Sequence, residues 1–103
     1  MAGVQDRVAL VTGAGSAGGI GLAIARALRD AGARVAITAT TDRIRERATE
    51  LGVFAATADL TDPAATARLF ADVTEALGPV EVLVNNAGMV QTGLRIKRAR
   101  LEG

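Results

Sequence analysis

The stretch Val8-Ala9-Leu10-Val11-Thr12-Gly13-Ala14-Gly15-Ser16-Ala17-Gly18-Gly19-Ile20-Gly21 decides how the rest of the chain is read. Val8 to Val11 are consecutive aliphatic residues, the composition of a short strand buried on both faces. The strand runs into a loop with five glycines in nine residues, from Gly13 to Gly21. A plain turn needs one or two glycines. A larger number suits a backbone that must turn sharply and also let another molecule come close. Gly13, Gly15 and Gly18 keep the G-x-G-x-x-G spacing, which between a strand and a helix sets main-chain amides against the pyrophosphate of a dinucleotide. The start of the following helix adds unpaired N–H groups and the positive end of its dipole.

Working outward, Ile20, Ile24, Leu28 and Ala31 recur at helical spacing and predict one apolar face, with Gly32 ending the helix. Val35 to Ile37 reads as a second strand. A short charged helix from Arg43 to Leu51 stops at Gly52, with Asp42 as its cap. A weaker strand spans Val53 to Ala58. Asp62 followed by Pro63 marks the start of a third helix, whose apolar face uses Ala67, Phe70, Val73 and Leu77 and which Gly78 and Pro79 close. Val80 to Val84 forms the fourth strand. Strands alternating with helices build an α/β fold with right-handed crossovers. The expectation is a partial Rossmann-like, doubly wound parallel sheet of four strands in the order 3-2-1-4, with helices on both faces. That order leaves the Val80 to Val84 strand on an edge, where symmetric pairing into a homo-oligomer is physically open.

Composition narrows the function classes. The 103 residues suffice for one domain, and Phe54 and Phe70 are the only aromatic residues, so the core is aliphatic. The absence of cysteine excludes disulfides, thiolate metal sites and a cysteine nucleophile, and fits the cytoplasm. No apolar run approaches the ~20 residues of a membrane helix, which predicts a soluble protein without a membrane partner. The net charge of +1 is unevenly spread: Arg95, Lys97, Arg98 and Arg100 against Glu102 give the last segment +3 and leave −2 elsewhere. Residues 1–88 therefore read as the nucleotide-binding domain and 89–103 as a basic tail. No aromatic residue is interleaved with the tail's charges for base stacking, which sets nucleic-acid binding aside.

Two further motifs complete the pattern. Asp59-Leu60 follows the third strand, and Asn85-Asn86-Ala87-Gly88 ends the fourth. With the glycine loop, they resemble the short-chain dehydrogenase/reductase family from about Arg7 to Gly88. The loop departs from the family pattern in one respect: five residues separate Gly13 from Gly19 where the family has three. This leaves open which of Gly15, Ser16 or Ala17 meets the phosphates. The resemblance implies a phosphate site at Gly13, Gly15, Ser16, Gly19, Ile20 and Gly21. It also implies that Asp59 bonds the adenine edge, that Leu60 flanks the ring, and that Asn86, Ala87 and Gly88 line the ribose. Read from the residues alone, Asp59 also suits a helix-capping or turn carboxylate, though Asp62 already fits the cap, and Asn85 and Asn86 suit hydrogen bonds that fix their own loop. Thr38-Ala39-Thr40 is similar to the β-ketoacyl-[acyl-carrier-protein] reductase type within the family.

An NAD-preferring site places an acid at the end of the second strand. Thr38-Ala39-Thr40-Thr41 holds none, Thr40 stands where the family often selects NADP, and Arg43 lies near enough to offer charge. NADP is the expected cofactor, with NAD the alternative. The family's reaction, hydride transfer between a nicotinamide dinucleotide and a small carbonyl or alcohol, uses a Tyr, a Lys four residues later and an upstream Ser. The chain has no tyrosine and no histidine, its one serine is Ser16 in the loop, and its one lysine is Lys97 in the tail. No catalytic residue is assigned, and the substrate belongs to a longer parent. Truncation, internal deletion or a change of frame would each account for the segment after Gly88, and a non-catalytic nucleotide-binding module is the alternative function.

Overall fold

The computed structural model describes residues 2–15 and 19–86. After a short 3-10 turn at Ala2–Val4 come β1 (Val8–Thr12), α1 (Ile20–Asp30), β2 (Arg34–Ala39), α2 (Arg43–Leu51), β3 (Phe54–Thr57), α3 (Pro63–Ala76) and β4 (Val82–Val84). The strands form one sheet in the order β3-β2-β1-β4, and every pairing is parallel. Val8 pairs with Arg34, Ala36 with Phe54 and Ala9 with Val82 at the start of each ladder.

The alternation of side chains along β1 splits the core in two. Ala9 and Val11 join Val35, Ile37 and the buried residues of α1 and α2 on one face. Val8 and Leu10 join Ala36, Leu69 and Val73 beneath α3 on the other. Central β1 is buried along its whole length, whereas β4 is half-exposed and Leu83 keeps 54% of its surface. Each fully buried aliphatic side chain, Leu10 and Ile37 among them, contributes about 1.5–3 kcal/mol.

The turn and stop signals hold. Gly32, Gly52 and Gly78 all take positive φ at or just past the ends of α1, α2 and α3, and the carboxylate of Asp62 accepts from the Ala64 amide at 3.0 Å. Two helix faces differ from the expectation. In α1 the buried residues are Gly21, Leu22, Ala25 and Leu28, while Ile20 is 65% exposed. The buried stripe is thus turned by roughly one residue, about 100°, from the Ile20-Ile24-Leu28-Ala31 face. In α3 it is Leu69 that is buried with Val73, with Phe70 and Leu77 at the margin of the cluster, and Ala67 faces outward. Asp42 also departs from its expected role. It precedes α2 in helical conformation and makes no capping bond, its carboxylate lying 3.7 Å from the Arg45 guanidinium instead. Among the described residues no helix is long and apolar enough to cross a membrane.

Candidate functional site

Because all four strands run the same way, the loops that leave their carboxyl ends lie along one rim of the sheet. The residues singled out from the sequence fall on that rim: Gly13, Gly15 and Gly19 after β1, Thr40 and Arg43 after β2, Asp59 and Leu60 after β3, and Asn86 after β4. Ile20 and Gly21 open α1. Ser16, Ala87 and Gly88 lie outside the described residues, as do Gly18 and the whole basic segment 89–103.

Gly13 leaves β1 with φ of 70°, a conformation that costs other residues strain. The Ala14 amide then donates to the Thr38 carbonyl at 3.2 Å, which holds the loop against the end of β2. Gly21 is required for a different reason. A Cβ there would stand 2.8 Å from both the Gly13 carbonyl oxygen and the Asn86 side-chain nitrogen, and 3.2 Å from the Ala14 Cα. Only a bare backbone lets the first turn of α1 lie this close under the loop. Gly15 sits under a similar but milder limit, since its Cβ would come 3.1 Å from that of Ala39.

The start of α1 carries no capping side chain, because Gly19 occupies that position in extended conformation. Among the described residues, its first amides are left to solvent or to an anion, and the helix dipole favours the anion. A dinucleotide's pyrophosphate fits this donor set: a glycine-floored approach, unpaired amides and no carboxylate in the first turn of α1.

Thr12, to which the sequence reading gave no role, ties the rim together. Its buried hydroxyl accepts from the Asn86 backbone amide at 2.9 Å, and it lies 3.2 Å from the Asn85 side-chain oxygen and 3.4 Å from the Val84 carbonyl. The Asn86 side-chain amide donates to the Gly13 carbonyl at 3.2 Å. Both asparagines therefore make the loop-fixing bonds that their residue type suggested. The one signal for Thr12 in the sequence was a hydroxyl ending an otherwise apolar strand directly before Gly13.

The Asp59 carboxylate accepts from the Thr61 hydroxyl at 2.6 Å and from the Thr61 amide at 3.0 Å. These two bonds, the hydroxyl's first, hold its carboxyl below the ordinary aspartate value, and the group remains open to solvent. Leu60 is half-buried against the α3 cluster. Thr40 and Arg43 are both exposed, at the end of β2 and the first position of α2.

The family model for short chain dehydrogenase matches residues 7–101. The chain belongs to the short-chain dehydrogenase family. The match runs past Gly88 into the basic segment. Among curated family members, the chain is 43% identical over 93 residues to the 1-deoxy-11-beta-hydroxypentalenate dehydrogenase of Streptomyces exfoliatus, covering 84% of this chain and 33% of that protein. It is 46% identical over 84 residues to the 3-oxoacyl-[acyl-carrier-protein] reductase MabA of Mycobacterium tuberculosis, covering 82% of this chain and 31% of the relative. Among solved structures, a short chain dehydrogenase from Mycobacterium smegmatis superposes with a TM-score of 0.80 at 34% identity, over 85% of this chain and 39% of that one. An actinorhodin polyketide ketoreductase crystallised with NADPH gives a TM-score of 0.75 at 46% identity, over 80% and 33% of the two chains. The chain thus spans about a third of the length of these short-chain dehydrogenases.

Proposed function

We infer that this chain is the dinucleotide-binding portion of an NADP-dependent short-chain dehydrogenase/reductase that moves hydride between the cofactor and a small carbonyl or alcohol. The observation that carries this reading is the uncapped start of α1 beneath a loop whose glycines permit backbone contact at Gly13 and Gly21. On this reading the amides around Gly13, Gly15, Ser16, Gly19, Ile20 and Gly21 hold the pyrophosphate. Asp59 and Leu60 receive the adenine, and Asn86, Ala87 and Gly88 border its ribose. Thr40 and Arg43 meet the 2′-phosphate, in a stretch without the acid that would repel it. When bound, the cofactor supplies the hydride. The proton donor belongs to the part of the relatives' length that this chain does not span, since the chain has no tyrosine or histidine. The nucleotide-binding portion ends at Gly88, and the basic segment 89–103 follows it.

Support for NADP comes from the ketoreductase crystallised with NADPH, to which the chain is 46% identical. Calorimetric titration of the purified chain tests the reading. NADPH is expected to bind at least about tenfold more tightly than NADH, a difference of about 1.4 kcal/mol that a charged contact to the 2′-phosphate supplies. Arg43→Ala should erase most of that preference. Equal affinities would overturn the NADP assignment, and no binding of either nucleotide would overturn the reading as a whole. The chain by itself is expected to show no NADPH-dependent reduction of carbonyl compounds.

A further inference from the structure

The glycine loop and the end of β2 meet at one pair of residues. Ala39, the last residue of β2, has its methyl 3.1 Å from where a Gly15 Cβ would stand, tighter than ordinary van der Waals contact. The Ala39 carbonyl accepts from the Ala58 amide at 3.0 Å, which ties the same residue to the segment leading to Asp59. Its next neighbour in the chain is Thr40. One small residue therefore abuts three of the loops that converge on the rim.

We propose that Ala39 is a positioning residue: its methyl, set against the bare backbone of Gly15, fixes the gap between the pyrophosphate cradle and the ribose end of the site. This rests on the reading of the loop as a phosphate cradle. If the gap is set by contact, then the summed bulk of positions 15 and 39 governs dinucleotide affinity, and a methyl moved from one to the other is tolerated. Gly15 does not have positive φ, so alanine is compatible with its backbone.

The test is a cycle of Gly15→Ala, Ala39→Gly and the double variant, each titrated with NADPH by calorimetry and melted without ligand. Gly15→Ala should weaken NADPH about fivefold to tenfold, because displacing the loop by a few tenths of an ångström spoils the donor geometry. Ala39→Gly should weaken NADPH about threefold to fivefold, because the gap is then under-filled, and melt a few degrees lower, since glycine weakens a strand. The double variant, which restores the summed bulk, should recover affinity to within about twofold of the unaltered chain while melting no higher than Gly15→Ala, so that binding and stability move apart. An unaltered chain that binds NADPH, together with a double variant that shows no recovery or whose affinity merely follows its melting temperature, overturns the role of Ala39 alone. A chain that binds no NADPH overturns the cradle reading and this inference with it.

Discussion

Helices α1 and α3 both begin at the carboxyl rim of the same sheet, yet their first turns are finished in opposite ways. In α3 the Asp62 carboxylate takes the Ala64 amide at 3.0 Å and Pro63 removes one donor altogether, so the end is closed by its own sequence. In α1 Gly19 offers no side chain, and Gly21 keeps the turn pressed against Gly13 and Asn86. A helix end left open beside a glycine loop forgoes the ~1 kcal/mol that a cap contributes, and what it retains is a set of donors for an incoming anion. The contrast separates a crossover whose helix end is closed by its own side chain from one whose end is left open, as the proposed phosphate site requires.

The severest way to break the contrast is Gly21→Val. Its Cβ would stand 2.8 Å from the Gly13 carbonyl, and backbone cannot yield as a flexible side chain does. We expect a loss of about 1–3 kcal/mol in urea unfolding, together with loss of measurable NADPH binding. A folded variant that binds normally would remove the close approach from the argument. Gly19→Asp sharpens it instead: the new carboxylate should cap α1 and raise apo stability by a few tenths of a kcal/mol, yet weaken NADPH about tenfold or more by opposing the phosphates. Stability and affinity that both rose would mean that no phosphate sits at the start of α1. Asp62→Ala, the matching change in α3, should cost about 1 kcal/mol and lower the melting temperature by about 4–8 °C. Its NADPH affinity should stay within about twofold of the unaltered chain, a negligible change in binding energy.

The smallest effect concerns Asp59. Its carboxyl is held low by Thr61, so its contribution to stability is present above the unfolded value and is lost as pH falls through the folded one. Thr61→Ala removes the hydroxyl's bond and should move the Asp59 titration, followed by carbon-13 NMR, back up toward the ordinary aspartate value. Between about pH 6 and 8 the group is ionised with or without Thr61, so the substitution should leave the pH profile of NADPH binding flat in that window.

What could be read from the sequence was chiefly what single residues state locally. Gly32, Gly52 and Gly78 announce left-handed stops, and Asp62-Pro63 announces a start, because each solves a backbone problem within a few residues of itself. Strand order also follows, since aliphatic runs alternating with helices leave few right-handed topologies. Helix faces were harder to read. Ile20 begins the apolar repeat of α1 but is turned outward, because tertiary contact with Gly13 and Asn86 claims the Gly21 side of the helix. The apolar repeat of α3 points to Ala67 rather than Leu69 for a related reason: in a helix rich in alanine, several apolar stripes are nearly equivalent, and only the shape of the sheet chooses among them. Asp42 has the residue type of a cap but a helical backbone, so its carboxylate reaches sideways to Arg45. The role of Thr12 does not follow from its local signal, because its partners Asn85 and Asn86 lie more than 70 residues away.

That separation has a consequence for how the protein is made. Asn86 meets the Thr12 hydroxyl across 74 residues, and β4 is the last strand of the described sheet to leave the ribosome. At ~5–20 residues per second, translation holds β1 for roughly 2 to 9 seconds with one side unpaired, after β2 has become available on the other. The nascent chain thus completes the rim of the described sheet last. During that interval the strand that the finished sheet buries along its whole length is exposed to whatever holdase attends the exit tunnel.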